Sequence, residues 1–367
     1  MLKNVADKES ESGSWIEQAC RNLMRPYKAC IEHLEYRLAS QATDRIVRKF
    51  EWGLEWTRSW QQKIHPEFNH GDPAAQLKGL NEAAIANSSA FFSYRTPSDF
   101  KFENNELRFT SDVATPYPEN NMVRAQWFPS ARDKRRAVLV LPHWNAQINQ
   151  YVLLCRALSK LGVAALRLSL PYHDRRMPKE LHRPDYAVSS NLGRTIDAAR
   201  QAIIDSRACL DWLQSRGYAN LGIIGTSLGA SYAFLASAHD ERLRVNVCNL
   251  FSYHFADVVW TGITTRHIRQ GMEGYIELDA LRDCWKAISP SAYVDRYGQY
   301  NKKSLFIRGA YDTTFLPQYS RTMIEQMRLR RIDHKHVVLP CGHYTLGRIP
   351  FKYIDGYQIC SFVVRNL

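Results

Sequence analysis

The sequence predicts an α/β fold, a mostly parallel twisted sheet with helices on both faces. From residue 137 onward, short aliphatic runs alternate with helical stretches, the pattern of a parallel sheet joined by crossover helices. Runs such as AVLVLP (137–142) and SLFIRG (304–309) are continuously apolar, as strands covered on both faces are. At one strand–helix junction lies Gly225-Thr226-Ser227-Leu228-Gly229, a sharp-turn pattern that also carries a reactive hydroxyl.

In chain order, residues 1–90 read as a helical extension and 91–367 as the main α/β domain, the one that carries the reactive hydroxyl. Within 14–60, Ile16, Leu23, Ile31, Leu34, Leu38, Ile46, Phe50 and Leu54 recur at helical intervals, with breaks near Pro26 and Ser40. Trp52, Trp56 and Trp60 would share one helical face. Such a stripe suits docking onto the main domain or onto a second subunit, so a homo-oligomer is conceivable. The extension is expected to be structural or lid-supporting and to supply no catalytic group. Its charges cancel, 12 Lys/Arg against 12 Asp/Glu over 1–90, and 14–60 holds one histidine, His33.

A loop-rich connector follows His65-Pro66, then a short helix near 74–87. ELRFTSD (106–112) and NMVRAQWFP (121–129) alternate as strands do, with PYPEN (116–120) as the turn between them. Further strands are expected at 137–142, 163–170, 220–225, 244–250, 304–309 and 335–340. Helices are expected at 148–161, 193–216, 228–238, 317–330 and 352–366.

Composition narrows the function classes. Apolar residues at 45% and charged residues at 23% are ordinary for a globular chain. No run approaches the roughly 18 apolar residues a spanning helix needs, and the polar start lacks the apolar core of a secretory signal. A soluble, cytoplasmic protein without a transmembrane segment is therefore expected. Eight scattered cysteines without a C-x-x-C pair read as reduced thiols, with no metal site and no disulfide framework. The formal charge of +13 lies wholly in 91–367, yet no zinc-finger spacing, RNP-type run or basic amphipathic helix accompanies it. No nucleic-acid partner and no cofactor are expected.

The chemistry is concentrated in three residues. Ser227 would sit at a strained strand-to-helix turn, where the N-terminal N–H groups of the following helix favour developing negative charge. A serine hydroxyl needs a base, and the base needs an orienting partner. Asp312 follows SLFIRGAY and His343 lies in LPCGHYTLG, each just past the carboxyl end of an expected strand. A parallel sheet delivers those ends to one edge, so Ser227, Asp312 and His343 converge although far apart in sequence. Asp257, Asp279 and Asp283 are the fallback carboxylates.

With these motifs in the order Ser, Asp, His, the chain resembles the α/β-hydrolase superfamily over about 105–367. Looser likeness to acyl-ester hydrolases of that superfamily lies in LPYH (170–173), the lead-in at 217–222 and the helical N-terminal extension. The resemblance implies the α/β-hydrolase fold with a lid insertion at 251–302, where specificity would reside. It also implies an oxyanion hole from the N–H of Leu228 and from the loop Pro142-His143-Trp144-Asn145. Trp144 stands where the family often has glycine, so either Trp144 or Asn145 would donate, and an aromatic wall is expected there.

His143, Asn145, His173 and Arg175 are candidate substrate-binding residues. His173 is expected to shape the pocket wall, and the Arg175 region, otherwise a solvated charged loop, offers forks for an anionic group on a small-molecule ester. A metal site from His173, His254 and His267 lacks ligand spacing. The expected activity is ester hydrolysis through an acyl-enzyme. An amidase or acyltransferase would use the same triad, and a non-catalytic binding protein could keep the same fold.

Overall fold

Strands form where the apolar runs are, because a strand between two helical layers has no wet face to supply with polar side chains. The computed structural model describes residues 25–64, 71–130, 132 and 135–367. Expected helix before residue 25 and most of the connector after His65-Pro66 lie outside them.

The chain begins with α1 (25–40), an extended strap (42–53), α2 (Leu54–Ile64), α3 (Pro73–Ala86) and α4 (Ser88–Phe91). There follow β1 (Lys101–Glu103), β2 (Glu106–Thr110), α5 (Pro118–Asn121), β3 (Met122–Phe128), β4 (Arg136–Leu141), α6 (Val152–Lys160) and β5 (Ala164–Leu168). Then come α7 (Leu192–Ser215), β6 (Asn220–Thr226), α8 (Leu228–Ala238) and β7 (Leu243–Asn249). The insertion carries α9 (Phe255–Thr261), α10 (Arg266–Met272), α11 (Leu278–Cys284) and α12 (Val294–Gly298). Last are β8 (Lys303–Gly309), α13 (Pro317–Leu329), β9 (Lys335–Leu339) and α14 (Phe351–Asn366).

The nine strands form one sheet in the order β1-β2-β3-β5-β4-β6-β7-β8-β9. The segment from β5 through β4 to β9 is parallel, and β1, β2 and β3 pair antiparallel on one side. Alternate side chains feed two apolar layers. Leu139, Leu141 and Ile223 join Ile203 and Leu210 of α7 and Leu235 of α8. Val138, Val140 and Ile224 join Leu158 of α6 and Val363 of α14. Among the described residues no helix is long and apolar enough to cross a membrane.

The N-terminal region departs from its expected course. Residues 42–53 are extended rather than helical, although Ile46 and Phe50 keep helical spacing. Backbone bonds to the start of α7 outcompete the local tendency. Glu51 N–H donates to Ser190 O at 3.1 Å, Leu192 N–H to Glu51 O at 3.0 Å, and Gly193 N–H to Trp52 O at 3.0 Å. The tryptophans consequently do not form one helical stripe. Trp60 is fully buried against Phe91, Trp56 stacks on Tyr117, and Trp52 precedes α2 and meets Phe50. All the same, Trp60 and Ile64 enter the same core as β4 and α7, so the segment docks onto the main body. PYPEN, expected as a turn, ends in the short helix α5.

Candidate active site

The loops after β4, β5, β6, β8 and β9 open on one edge, as a parallel sheet requires. Between β6 and α8 the chain turns within one residue. Ser227 takes φ 57° and ψ −119°, and such a conformation costs a non-glycine residue about 1–3 kcal/mol. Its N–H donates to Asn249 O at the end of β7, 2.8 Å away, which helps hold the turn. A Cβ on Gly225 would lie 2.1 Å from the carbonyl oxygen of Gly229, and one on Gly229 2.3 Å from that of Leu141. The turn closes only with hydrogen at both positions.

The structure brings Ser227, His343 and Asp312 together. Ser227 Oγ lies 3.3 Å from His343 Nε2, and His343 Nδ1 lies 3.1 Å from Asp312 Oδ2. Asp312 Oδ1 accepts the N–H groups of Thr314 and Phe315 at 2.8 and 2.7 Å, which fixes the carboxylate plane. The fallback carboxylates are engaged elsewhere, Asp257 and Asp279 with Arg282 and Asp283 with Lys78. Burial works against charge on His343. The charge and hydrogen bond of Asp312, followed by the charge of Glu35, outweigh it and raise the imidazole pKa above its ordinary value.

His143, Trp144 and Asn145 of the loop after β4 line the same groove as Ser227. The backbone N–H of His143 donates to Tyr151 Oη at 3.3 Å, and that of Asn145 donates to His173 Nε2 at 3.1 Å. Among the described residues the Trp144 N–H has no such partner. Buried His173 is suited to accept, because Pro171 O lies 2.8 Å from its Nδ1 and burial depresses its pKa to about 4. His143 is likewise kept neutral, its pKa lowered to about 3 by burial and then by the charge of His343. The Trp144 ring lies under the Arg183 guanidinium at 4.4 Å, stacks on His267 at 5.8 Å, and donates its indole N–H to Pro184 O.

Two cavities meet at Ser227. One is a groove of about 690 Å³ whose lining includes Arg45, His143, Asn145, Arg183, Lys352 and Asp355. The other is a recess of about 40 Å³ walled by Leu228, Phe255, Val258, Val259 and Phe315. Trp144 borders both, and the 251–302 insertion supplies three of those recess residues.

Two candidates lie elsewhere. His173 is buried behind the β4 loop and orients it through Asn145 instead of facing the groove. Arg175 points to solvent, 3.6 Å from Glu106, because the short helical turn at Asp174–Arg176 aims it away from the sheet edge. Arg183 of the same loop reaches the groove instead. Asp355 went unread because an acid in an amphipathic helix normally faces water; here burial raises its pKa to about 7. Arg45 and Glu35 of the N-terminal segment also reach the site, and no local motif marks either. Among the described residues, no group of three or more His, Cys, Asp or Glu side chains could hold a metal. The described cysteines are free.

Residues 124–280 match the family described as Alpha/beta hydrolase domain containing 18. No curated protein matches the sequence significantly. Acetyl xylan esterase 1 from a Thermoanaerobacterium species is similar in structure, with 11% identity and a TM-score of 0.56 over 83% of this chain and 98% of that one. The acylaminoacyl peptidase of Pyrococcus horikoshii is similar at 10% identity and a TM-score of 0.55 over 73% of this chain. There the chain spans only 42% of the peptidase's length. A lipase in its open form gives 11% identity and a TM-score of 0.52, over 70% and 97% of the two chains. At these identities the likeness establishes the fold.

Proposed function

We propose, from the α/β-hydrolase fold and the family match over residues 124–280, that this chain is a serine hydrolase cleaving a carboxylic ester through an acyl-enzyme. The observation that carries the reading is the continuous chain from Ser227 through His343 to Asp312, with the serine held in a strained turn. Ser227 Oγ attacks the carbonyl carbon as His343 Nε2 takes its proton, and Asp312 holds the ring with its proton on Nδ1. The oxyanion accepts the N–H groups of Leu228 and Trp144; the commitment of the His143 and Asn145 N–H groups supports Trp144 as the second donor. His343 then protonates the leaving alcohol. Water attacks the acyl-enzyme and gives a proton to His343, which returns it to Ser227.

The apolar recess suits the acyl group and the large groove the alcohol portion. Arg45, Arg183 and Lys352 along the groove support an anionic group on that portion. Hydrolysis is favoured over acyl transfer because so large a groove leaves the acyl-enzyme open to water. Labelling by a fluorophosphonate tests the core of the reading. The native protein should react and Ser227→Ala should not; an unreactive native protein, or equal labelling of both, would sink it.

A further inference from the structure

Glu35 of α1 is fully buried, and its carboxylate meets three donors. Oε2 accepts the Tyr344 N–H at 3.0 Å and the Thr313 hydroxyl at 3.3 Å; Oε1 accepts the Thr345 N–H at 2.8 Å. One carboxylate thus bridges the residues immediately after His343 and after Asp312. The fit depends on Gly342, where a Cβ would lie 2.3 Å from Glu35 Cδ. The same loop is held at Pro340 O by the Tyr27 hydroxyl and at the Tyr344 hydroxyl by Arg45.

We propose that Glu35 is a positioning residue for the chemistry of Ser227, fixing the loops of His343 and Asp312 against each other from the N-terminal helix. The proposal rests on the serine-hydrolase reading. Three donors facing one group call for an acceptor-only side chain, which a carboxylate is and an amide is not. Among the described residues no Lys or Arg forms an ion pair with it. Burying a charge without an ion-pair partner is costly even where hydrogen bonds offset part of it, and a helix that merely docked would be better served by a neutral side chain. Here the charge is close enough to favour the protonated form of an imidazole that must become imidazolium during the reaction.

The other groups around His343 are Asp312 on Nδ1, His143 across the site, Cys341 and Tyr344 in its own loop, and Arg45 beyond Tyr344. His143 is held neutral by burial and Cys341 is raised by burial, so both stay uncharged near neutral pH. Removing the Glu35 charge therefore leaves Asp312 as the near anion and lowers the His343 pKa.

The test compares full-length native protein, Glu35→Gln and Glu35→Asp, assayed with p-nitrophenyl acetate per mole of folded protein, with His343 titrated by NMR. Glu35→Gln should lower kcat about 10- to 100-fold, leave KM unchanged, and move both the acid limb of kcat/KM and the His343 pKa to lower pH. Glu35→Asp keeps the charge but draws it back by one methylene, so kcat should fall while the acid limb stays. A folded Glu35→Gln with native kcat and native acid limb overturns the proposal, as does one that loses only thermal stability. Should Glu35→Gln fail to fold, a Glu35→Asp variant with native kcat overturns it equally. A native protein inert to ester and fluorophosphonate refutes the serine-hydrolase reading, and an unchanged His343 pKa in Glu35→Gln separately refutes the role of Glu35.

Discussion

Ser227 and Glu35 both contact the His343 loop, and different forces hold them there. Ser227 is fixed mainly by its immediate neighbours: a strand ends, two glycines permit a turn, and a helix begins, with Asn249 of the adjacent strand holding its N–H. Glu35 belongs to an ordinary amphipathic helix and owes its place to hydrogen bonds with residues 278 to 310 positions further along. Damage at a locally built site should remove chemistry and spare the fold. Damage at a site built by distant contacts should cost both.

The largest expected effect is at the local site. Ser227→Ala should reduce turnover of p-nitrophenyl acetate by at least ~10⁴-fold with an almost unchanged melting temperature; near-native turnover would remove Ser227 from the mechanism. Asp312→Asn should cost about 10⁴-fold, because an amide at Oδ2 favours the wrong imidazole tautomer. If its kcat fell less than tenfold, the orienting role would belong elsewhere. A chain beginning at Leu54 loses α1 and the strap but keeps Trp60, and probes the distant half of the comparison. It should melt several degrees lower and turn over on the order of 10- to 100-fold more slowly per folded molecule. Full activity in the folded fraction would reduce the segment to a scaffold.

Smaller effects sharpen the picture at the rim. Lys352→Met should raise KM a few-fold for an ester bearing a carboxylate on its alcohol side while leaving a neutral ester alone, as exposed charges contribute little. Equal KM values for both esters would argue against an anionic substrate. The subtlest expectation concerns pH. Because Asp312 and Glu35 outweigh burial at His343, its pKa lies above the ordinary 6.5, so kcat/KM should fall as pH drops through a value above 6.5. An acid limb below 6.5 would contradict that balance.

How much of this was legible in the sequence follows the same division. The parallel strands and their helices appear within a few residues of their expected places, because apolar continuity and turn residues are local signals. The candidates Ser227, Asp312 and His343 were readable because each lies just past a strand. Residues 42–53 were misread as helix because their partner, the start of α7, is remote in sequence. Composition reveals the charge of the loop that holds Arg175, and only the loop's path reveals that Arg183 is the arginine that reaches the groove. Glu35 was illegible: nothing nearby distinguishes it from Glu32, and its meaning lies in two loops that had yet to be placed.

The bonds from α1 to the loop after β9 also bear on the order in which the molecule comes together. During synthesis, residue 35 leaves the ribosome some 300 residues ahead of the backbone groups it will bind. Contacts of such long range close late and slowly, after the local strand–helix units have formed. Throughout that interval the Glu35 carboxylate is hydrated and not yet bound to the loop, and the turn at Ser227 can exist beside an imidazole that is not yet fixed. A nascent chain would therefore carry its nucleophile well before it could use it, and full reactivity would mark completed folding rather than accompany it.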